Sequence, residues 1–274
     1  MWFRLLTMAR RSALGRAWYR RRWRQRADVV MLSFPKAGRT WLRVLVTQAL
    51  LKHFGLPAQP LPAIARLSGL HSAIPRIVTR HDDNPHLHTP KELVHCKSEY
   101  AGRKVILVYR SLPDLAVSSY FQMTKREKRF TGSISEFIRC PRGGVDSMLE
   151  FYNIWARNQH RPAGFLLVRY EDLHADTLGE LARTLEFIGV SGVSRETLAW
   201  AVEQSSFDNM RKMELANAVD SKWLQPGDAS DPESYKTRKG KVGGYVDYLS
   251  VDDIAYIENR VSRLDSMYLH PAPR

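Results

Sequence analysis

The sequence is poor in cysteine, in long apolar runs and, at its start, in acidic residues. Two cysteines, Cys96 and Cys140, in a chain of 274 residues exclude a disulfide framework. They fit a reducing compartment or indifference to redox. No run approaches the roughly 18 apolar residues that a membrane-spanning helix requires. Hydrophobic residues nevertheless make up 44% of the chain, so a sizeable core is available and global disorder is excluded.

The basic charge is concentrated at the start of the chain. Residues 1–26 hold nine of the 42 basic residues and no acidic one, which leaves 33 basic against 28 acidic residues in the remainder. We therefore divide the chain into a basic, Arg- and Trp-rich extension, 1–26, and a single domain, 27–274. The extension has three interpretations: an amphipathic helix on an anionic membrane, an organelle transit peptide, or a solvated tail. We expect a cytoplasmic protein, with peripheral membrane contact as one option, and no specific nucleic-acid partner.

Apolar runs alternate with helix-like segments along the domain. We predict strands at Val29–Phe34, Arg76–Arg80, Lys104–Tyr109 and Phe165–Val168. We predict helices at Thr40–Phe54, Leu115–Met123, Val145–His160, Thr177–Ile188, Arg195–Gln204 and Val251–Leu264. Gln225–Gly244, rich in Pro, Gly, Asp and Ser, reads as a loop. This order predicts an α/β fold of three layers around a central, mostly parallel sheet.

Ligands of such folds bind at the carboxyl ends of the strands. The residues that directly follow each strand are therefore the first candidates for a binding site. After the first strand comes PKAGRTW, Pro35–Trp41. A tight turn into a helix presents free backbone N–H groups, Gly38 permits close approach, and Lys36 adds a cation, which together favour an anion site. The alternative is a plain strand-to-helix turn with a solvated lysine. The G-x-x-x-x-G-K-[ST] pattern of nucleotide triphosphatases is absent, since Lys36 precedes the glycine by two residues.

Three further stretches carry similar chemistry. Arg110 follows the Lys104–Tyr109 strand and Ser118 lies eight residues later, so the pair could clamp a phosphate. The alternative is a surface ion pair between Arg110 and Asp114. Tyr170 follows the Phe165–Val168 strand. Arg238-Lys239-Gly240 offers two cations and a glycine in the predicted loop, or merely an exposed basic loop.

In this order, these stretches resemble the sulfotransferases that use 3′-phosphoadenosine 5′-phosphosulfate (PAPS). Five motifs of that family have a similar segment here. P-K-[ST]-G-[ST]-[ST]-W resembles Pro35–Trp41, R-x-x-x-D-x-x-V-S resembles Arg110–Ser118, and Y-E-D-[LM] resembles Tyr170–Leu173. Closer to the C-terminus, [ST]-S-F resembles Ser205–Phe207 and R-K-G-x-x-G-[DE] resembles Arg238–Gly244. The likeness runs from about Val29 to Leu264. Ala37 and Arg39 depart from the hydroxyl residues of the first motif, Gly244 replaces an acid, and Tyr245 replaces a Trp.

The resemblance implies a P-loop-like sulfotransferase fold, PAPS as co-substrate and no metal. It implies that the donor is bound by these residues: Lys36, Ala37, Gly38, Arg39, Thr40, Trp41, Arg110, Ser118, Tyr170, Ser205, Phe207, Arg238, Lys239 and Gly240. Lys36 and Ser118 would also act in catalysis, where Lys36 offsets charge on the bridging oxygen. His81 follows the short second strand, where the cytosolic branch carries its base, and suits general-base work. Asp82 and Asp83 are alternatives, because carbohydrate-specific branches often use a carboxylate.

A P-loop-like nucleotide or small-molecule kinase is the alternative function, although such an enzyme should carry a P-loop Lys-Ser/Thr and a magnesium carboxylate. The acceptor would be a small molecule, a lipid or a carbohydrate with a hydroxyl or amine. Its identity and the oligomeric state are not encoded in any recognisable pattern.

Overall fold

A computed structural model describes residues 27–58, 60–216, 218–219 and 224–269. Four parallel strands form its sheet: β1 (Val29–Ser33), β2 (Ile77–Arg80), β3 (Lys104–Tyr109) and β4 (Gly164–Arg169). Their order is β2-β1-β3-β4, and Val30 pairs with Val78 on one side and Val105 on the other. The chain therefore reverses its direction of progress between β1 and β3, where α/β folds place their ligand crevice.

Nine α-helices occur in the described residues, and they cover both faces of the sheet. They are α1 (Arg39–His53), α2 (Leu112–Phe121), α3 (Ile134–Arg139), α4 (Val145–Asn158), α5 (Tyr170–Ala175), α6 (Thr177–Ile188), α7 (Arg195–Gln204), α8 (Phe207–Leu215) and α9 (Val251–Val261). Helix α1 packs with α6 and α7, whereas α2 packs with α4 and α9. With both faces covered, β1 is buried at all five positions, which explains its unbroken apolar sequence. The predicted three-layer α/β class is confirmed.

The predicted strands and long helices lie where expected, with boundaries that differ by a few residues at most. Three helices were not predicted: α3, α5 and α8. All three are short, and α8 (FDNMRKMEL) lacks a clear apolar stripe. The signal that α3 did carry is a capping box, in which the Ser133 hydroxyl accepts from the Glu136 N–H and the Glu136 side chain accepts from the Ser133 N–H.

The basic extension, 1–26, lies outside the described residues. Within the described part of the chain, no helix is both long enough and apolar enough to cross a bilayer.

Candidate active site

A cavity of about 560 Å³ opens at the carboxyl ends of the strands. It collects nearly every residue that the sequence singled out, from six separate segments. Its walls include Lys36, Gly38, Arg39, Thr40, Trp41, His81, Arg110, Ser118, Tyr170, Ser205, Phe207, Arg238, Lys239 and Gly240. Of the residues predicted to bind the donor, the exception is Ala37, whose side chain is fully buried in the hydrophobic core.

The loop after β1 is shaped for an anion. Gly38 caps α1 with φ of 95°, and among the described residues no side chain caps the first turn of that helix. The first N–H groups of α1 are therefore available to a ligand at the positive end of the helix dipole. A Cβ on Gly38 would lie 2.4 Å from the Tyr170 ring, so the close packing of loop and ring requires glycine here.

Lys36 places its ammonium in this cavity. Burial, followed by the charges of Lys236 and Arg126, holds the pKa of Lys36 well below its ordinary value. A cation that is desolvated in this way gains most from an anion placed beside it, because the anion offsets both penalties.

Arg110 and the loop around Gly240 are joined through Asp114. The Asp114 carboxylate is buried and accepts hydrogen bonds from the N–H of Gly243 at 2.8 Å and of Tyr245 at 3.1 Å. Arg110 Nη2 lies 3.8 Å from Asp114 Oδ2 and donates to the Lys241 carbonyl at 3.1 Å. The ion pair considered from sequence is thus present, and it serves to hold the loop over the end of β3.

The cations of the loop itself are also held in place. Arg238 Nη1 donates to Glu233 Oε2 at 3.0 Å and to the Tyr248 hydroxyl at 2.7 Å. Lys239 is exposed, and its Nζ lies 3.4 Å from Asp247 Oδ2. We call Arg110, Arg238 and Lys239 the phosphate rim, since each is a cation oriented by a carboxylate beside the cavity.

Aromatic rings line the neighbouring wall. Trp41 Nε1 donates to the Ser205 carbonyl at 3.0 Å, and the Trp41 and Tyr170 ring centroids are 5.8 Å apart. Phe207 is 42% exposed, and a Cβ on Gly240 would lie 2.6 Å from its ring. His174, which no sequence pattern indicated, also lies here, with its ring centroid 5.9 Å from that of Trp41. Such a wall suits a flat heterocycle, which binds by stacking.

His81 is held by two hydrogen bonds that fix its tautomer. Its Nε2 lies 2.6 Å from Arg39 Nη2 and its Nδ1 lies 3.2 Å from the Ser33 carbonyl. A guanidinium only donates, so Nε2 accepts and Nδ1 carries the proton. Burial and then the charge of Arg39 hold the pKa of His81 well below its ordinary value. The imidazole is therefore neutral near pH 7, as a general base must be.

Asp82 and Asp83, the alternative candidates for the general base, do not face the cavity. Asp82 Oδ1 accepts from the Tyr100 hydroxyl at 2.7 Å, and Oδ2 accepts from Trp155 Nε1 at 2.8 Å and Lys97 Nζ at 2.7 Å. These bonds commit the carboxylate to the core, and neither Asp82 nor Asp83 lines the cavity. The network anchors a loop with positive φ at three consecutive residues, Asp82, Asp83 and Asn84. Of the three candidates for the base, only His81 faces the cavity.

Four further cations line the cavity: Arg43, Arg126, Lys236 and Lys241. Arg43 follows Arg39 by four residues on α1, and this spacing on one helix face was a usable signal. Burial, then the charge of Arg39, lowers the pKa of Arg43 to about 9. Burial, then the charge of Arg126, lowers the pKa of Lys236 to about 8. No sequence pattern pointed to Lys236.

Metal chemistry has no candidate in this region. Across the part of the chain that the structure describes, no group of three or more His, Cys, Asp or Glu side chains is arranged to hold an ion.

The fold and the cavity define an α/β transferase domain with a loop for an anionic group after β1. A family model described as a sulfotransferase domain matches residues 26–265, and the chain therefore belongs to that family and is an enzyme. Flavonol 3-sulfotransferase of Flaveria bidentis is 24% identical over 85% of this chain and 80% of its own length. Sulfotransferase 2A6 of Mus musculus is 28% identical over 69% and 68%.

Solved structures show the same fold. Retinol dehydratase in a complex with retinol and PAP, the desulfonated form of PAPS, superposes with a TM-score of 0.62 at 18% identity, covering 90% of this chain and 84% of that one. Mouse sulfotransferase SULT7A1 complexed with PAP gives 0.59 at 18% identity, covering 86% and 84%. The family inferred from the sequence motifs is confirmed.

Proposed function

We propose that this enzyme transfers a sulfonate group from PAPS to a hydroxyl or amine of a small acceptor by in-line displacement. The observation that carries the proposal is the convergence of the family-like motifs on one cavity. The loop with Lys36, the Arg110–Ser118 pair, the aromatic wall and Arg238–Gly240 come together there. Two structural neighbours are crystallised with PAP, which supports PAPS as the donor.

Each part of the donor has matching chemistry in the cavity. The phosphate rim would hold the 3′-phosphate, since guanidinium groups bind phosphate oxygens in a bidentate manner. Ser118 lines the same wall and would add its hydroxyl. Trp41, Tyr170 and Phe207 would flank the adenine, because bases stack on aromatic rings. Lys36 and the first N–H groups of α1 would face the phosphosulfate.

In the transfer, the acceptor oxygen attacks sulfur while the bond between sulfur and the phosphate oxygen breaks. The departing oxygen gains negative charge, which Lys36 and the N–H groups at the start of α1 would stabilise. The acceptor proton goes to His81 Nε2, and the products are PAP and a sulfate ester, or a sulfamate where an amine nitrogen attacks instead. The residues present supply this charge stabilisation and a base without a metal step.

Calorimetric titration with PAP in EDTA tests the proposal. We expect metal-independent binding by the wild-type protein and loss of that binding in Lys36→Ala and Arg110→Ala. His81→Ala should retain PAP binding, because the base does not contact the phosphates, and should lose transfer by about 10²–10⁴-fold. If the folded wild-type protein did not bind PAP, the proposal would be contradicted, and a kinase-like function would become the leading alternative.

For the acceptor we propose a chemical class, and for the enzyme a cellular location. Relatives are named for flavonols, and one neighbour is bound to retinol, so we propose a small-molecule acceptor. A relative from Arabidopsis thaliana is named a cytosolic sulfotransferase, which supports a cytoplasmic location. Membrane contact through 1–26 stays a prediction.

A further inference from the structure

We propose that the acceptor carries an oxyanion, a carboxylate or a phosphate or sulfate ester, close to the accepting group, and that Arg39 and Lys236 bind it. This inference rests on the proposed function, since it names the acceptor class for the same cavity. We call Arg39 and Lys236 the base cluster.

The first argument is the position of Arg39. Its Nη2 donates to His81 Nε2 at 2.6 Å, which is the lone pair that the acceptor proton must reach. A general base works within roughly 3 Å of the hydroxyl that it deprotonates. The accepting hydroxyl must therefore take the place of the Arg39 guanidinium, which then lies beside the acceptor. An anionic group on the acceptor would draw Arg39 aside and leave Nε2 open.

The second argument is that Arg39 lacks a counter-charge. Among the described residues, no carboxylate lies within ion-pair distance of Arg39, and its Nη1 is buried without a hydrogen-bond partner. Burial lowers the pKa of Arg39 to about 9. A partly buried guanidinium whose Nη1 is buried and unused is stabilised most by an oxyanion that accepts from it directly.

Lys236 adds a second cation to the same cavity wall. It lines the cavity together with Arg39 and His81, and its charge contributes to the lowered pKa of His81. Neither a hydrogen bond nor an ion pair engages the Lys236 ammonium within the described residues. Its backbone N–H is fixed by Glu214 Oε1 at 2.6 Å, so the segment that presents the ammonium is rigidly held.

The acidic residues of the described cavity wall pair with neither Arg39 nor Lys236, and of the nearby carboxylates Glu127 acts on the pKa of Lys236 only through its charge. The acidic residues of the described cavity wall are Asp114 and Glu203. The Asp114 carboxylate accepts hydrogen bonds from the Gly243 and Tyr245 N–H groups. Glu203 belongs to α7, beside the aromatic wall. The 3′-phosphate of the donor would be bound by the phosphate rim, and its phosphosulfate by Lys36 and the first N–H groups of α1. Arg39 and Lys236 would then be left to bind a negative charge on the acceptor.

The test uses the full-length protein saturated with PAP and two matched probes, 2-hydroxybenzoate and 2-hydroxybenzyl alcohol, whose charged or neutral group is adjacent to the accepting hydroxyl. We expect calorimetry to show that the carboxylate binds about tenfold or more tightly than the alcohol, the size of a charged hydrogen bond. Lys236→Gln should remove most of this preference, and Lys236→Arg should restore it. The affinity for PAP itself should stay within about twofold in both variants, a change of under 1 kcal/mol.

Arg39→Thr supplies an independent readout, since threonine stands at this position in the family motif and should be tolerated. The variant should lose charge preference, and the pKa of His81 read from the acid side of the pH–rate profile should rise. Equal binding of the two probes by wild-type protein, or binding of neither at millimolar concentration, would overturn the inference. Loss of PAP affinity in Lys236→Gln or in Arg39→Thr would overturn it too, by assigning that cation to the donor. Failure of the wild-type protein to bind PAP would instead contradict the proposed function.

Discussion

The phosphate rim and the base cluster are both sets of cations in one cavity, but they are held differently. Arg110, Arg238 and Lys239 each lie beside a carboxylate, namely Asp114, Glu233 and Asp247. No described carboxylate pairs with Arg39 or Lys236, and burial lowers the pKa of each. A paired cation is pre-oriented and keeps its charge, whereas an unpaired buried one is costly until an anion arrives. The first arrangement suits a ligand that every cycle must bind, and the second suits discrimination among ligands.

Lys36 is coupled electrostatically to both sets, and its replacement should have the largest effect. Its pKa is influenced by Lys236 of the base cluster and by Arg238 of the phosphate rim. Lys36→Met keeps the length of the side chain but removes the charge that faces the departing oxygen. We expect kcat to fall about 10²–10³-fold, the usual cost of removing one transition-state donor. The exposed Lys91, which does not line the cavity, provides the matched control Lys91→Met. Comparable loss in both variants would contradict the role of Lys36.

Each set of cations also depends on a buried carboxylate that grips backbone N–H groups. Asp114 holds Gly243 and Tyr245 beside the phosphate rim. In Asp114→Asn, the new amide donates toward one of these N–H groups and loses the charge that both bonds rely on. Charged hydrogen bonds contribute about 1.5–3 kcal/mol, so we expect PAP affinity to fall about tenfold or more. Titration of PAP into Asp114→Asn measures this loss, with the exposed Asp208→Asn as a control.

Glu214 performs the same task beside the base cluster. It is fully buried and accepts from the N–H of Lys236 at 2.6 Å and of Thr237 at 2.9 Å. Glu214→Gln should therefore loosen the segment that presents Lys236 and raise KM for an anionic acceptor by about threefold to tenfold, the cost of weakening one charged hydrogen bond. The affinity for PAP should change less than in Asp114→Asn. If both variants affected PAP and acceptor alike, the distinction between the two sets would be wrong.

The phosphate rim and the base cluster also differ in how far their residues could be predicted from the sequence. Strand β1 and its loop were predictable because a buried parallel strand is an unbroken apolar run and an anion loop needs glycine and lysine nearby. Arg110 and Arg238 were predictable because they occupy fixed places in motifs. Lys236 was not predictable, because it lies in a long irregular segment whose position is fixed by hydrogen bonds to Glu214. No periodic pattern in the sequence links Lys236 with Glu214. The inward orientation of Asp82 likewise depends on Tyr100, Lys97 and Trp155, which are distant in sequence.

The pH dependence of kcat/KM for the acceptor gives the finest test of the comparison, because it reports the ionisation of the enzyme form that has not yet bound the acceptor. His81 must be neutral to accept a proton. Burial and the charge of Arg39 lower its pKa, so activity should fall only at a pH below the ordinary value of about 6.5. Lys236 must be charged to attract an oxyanion, and its pKa is about 8. For an anionic acceptor, kcat/KM should therefore also fall above about pH 8, which gives a bell-shaped profile.

A neutral acceptor should lack the alkaline fall near pH 8, since it does not use the Lys236 charge. Saturation with an anionic acceptor should also move that limb upward in the kcat profile, because a bound anion raises the pKa of the cation that it pairs with. Both profiles are measured at saturating PAPS, so that the donor offsets the lowered pKa of Lys36. An alkaline limb that is the same for charged and neutral acceptors would place the titrating group with the donor. The base cluster would then be an extension of the phosphate rim rather than a device that selects the acceptor.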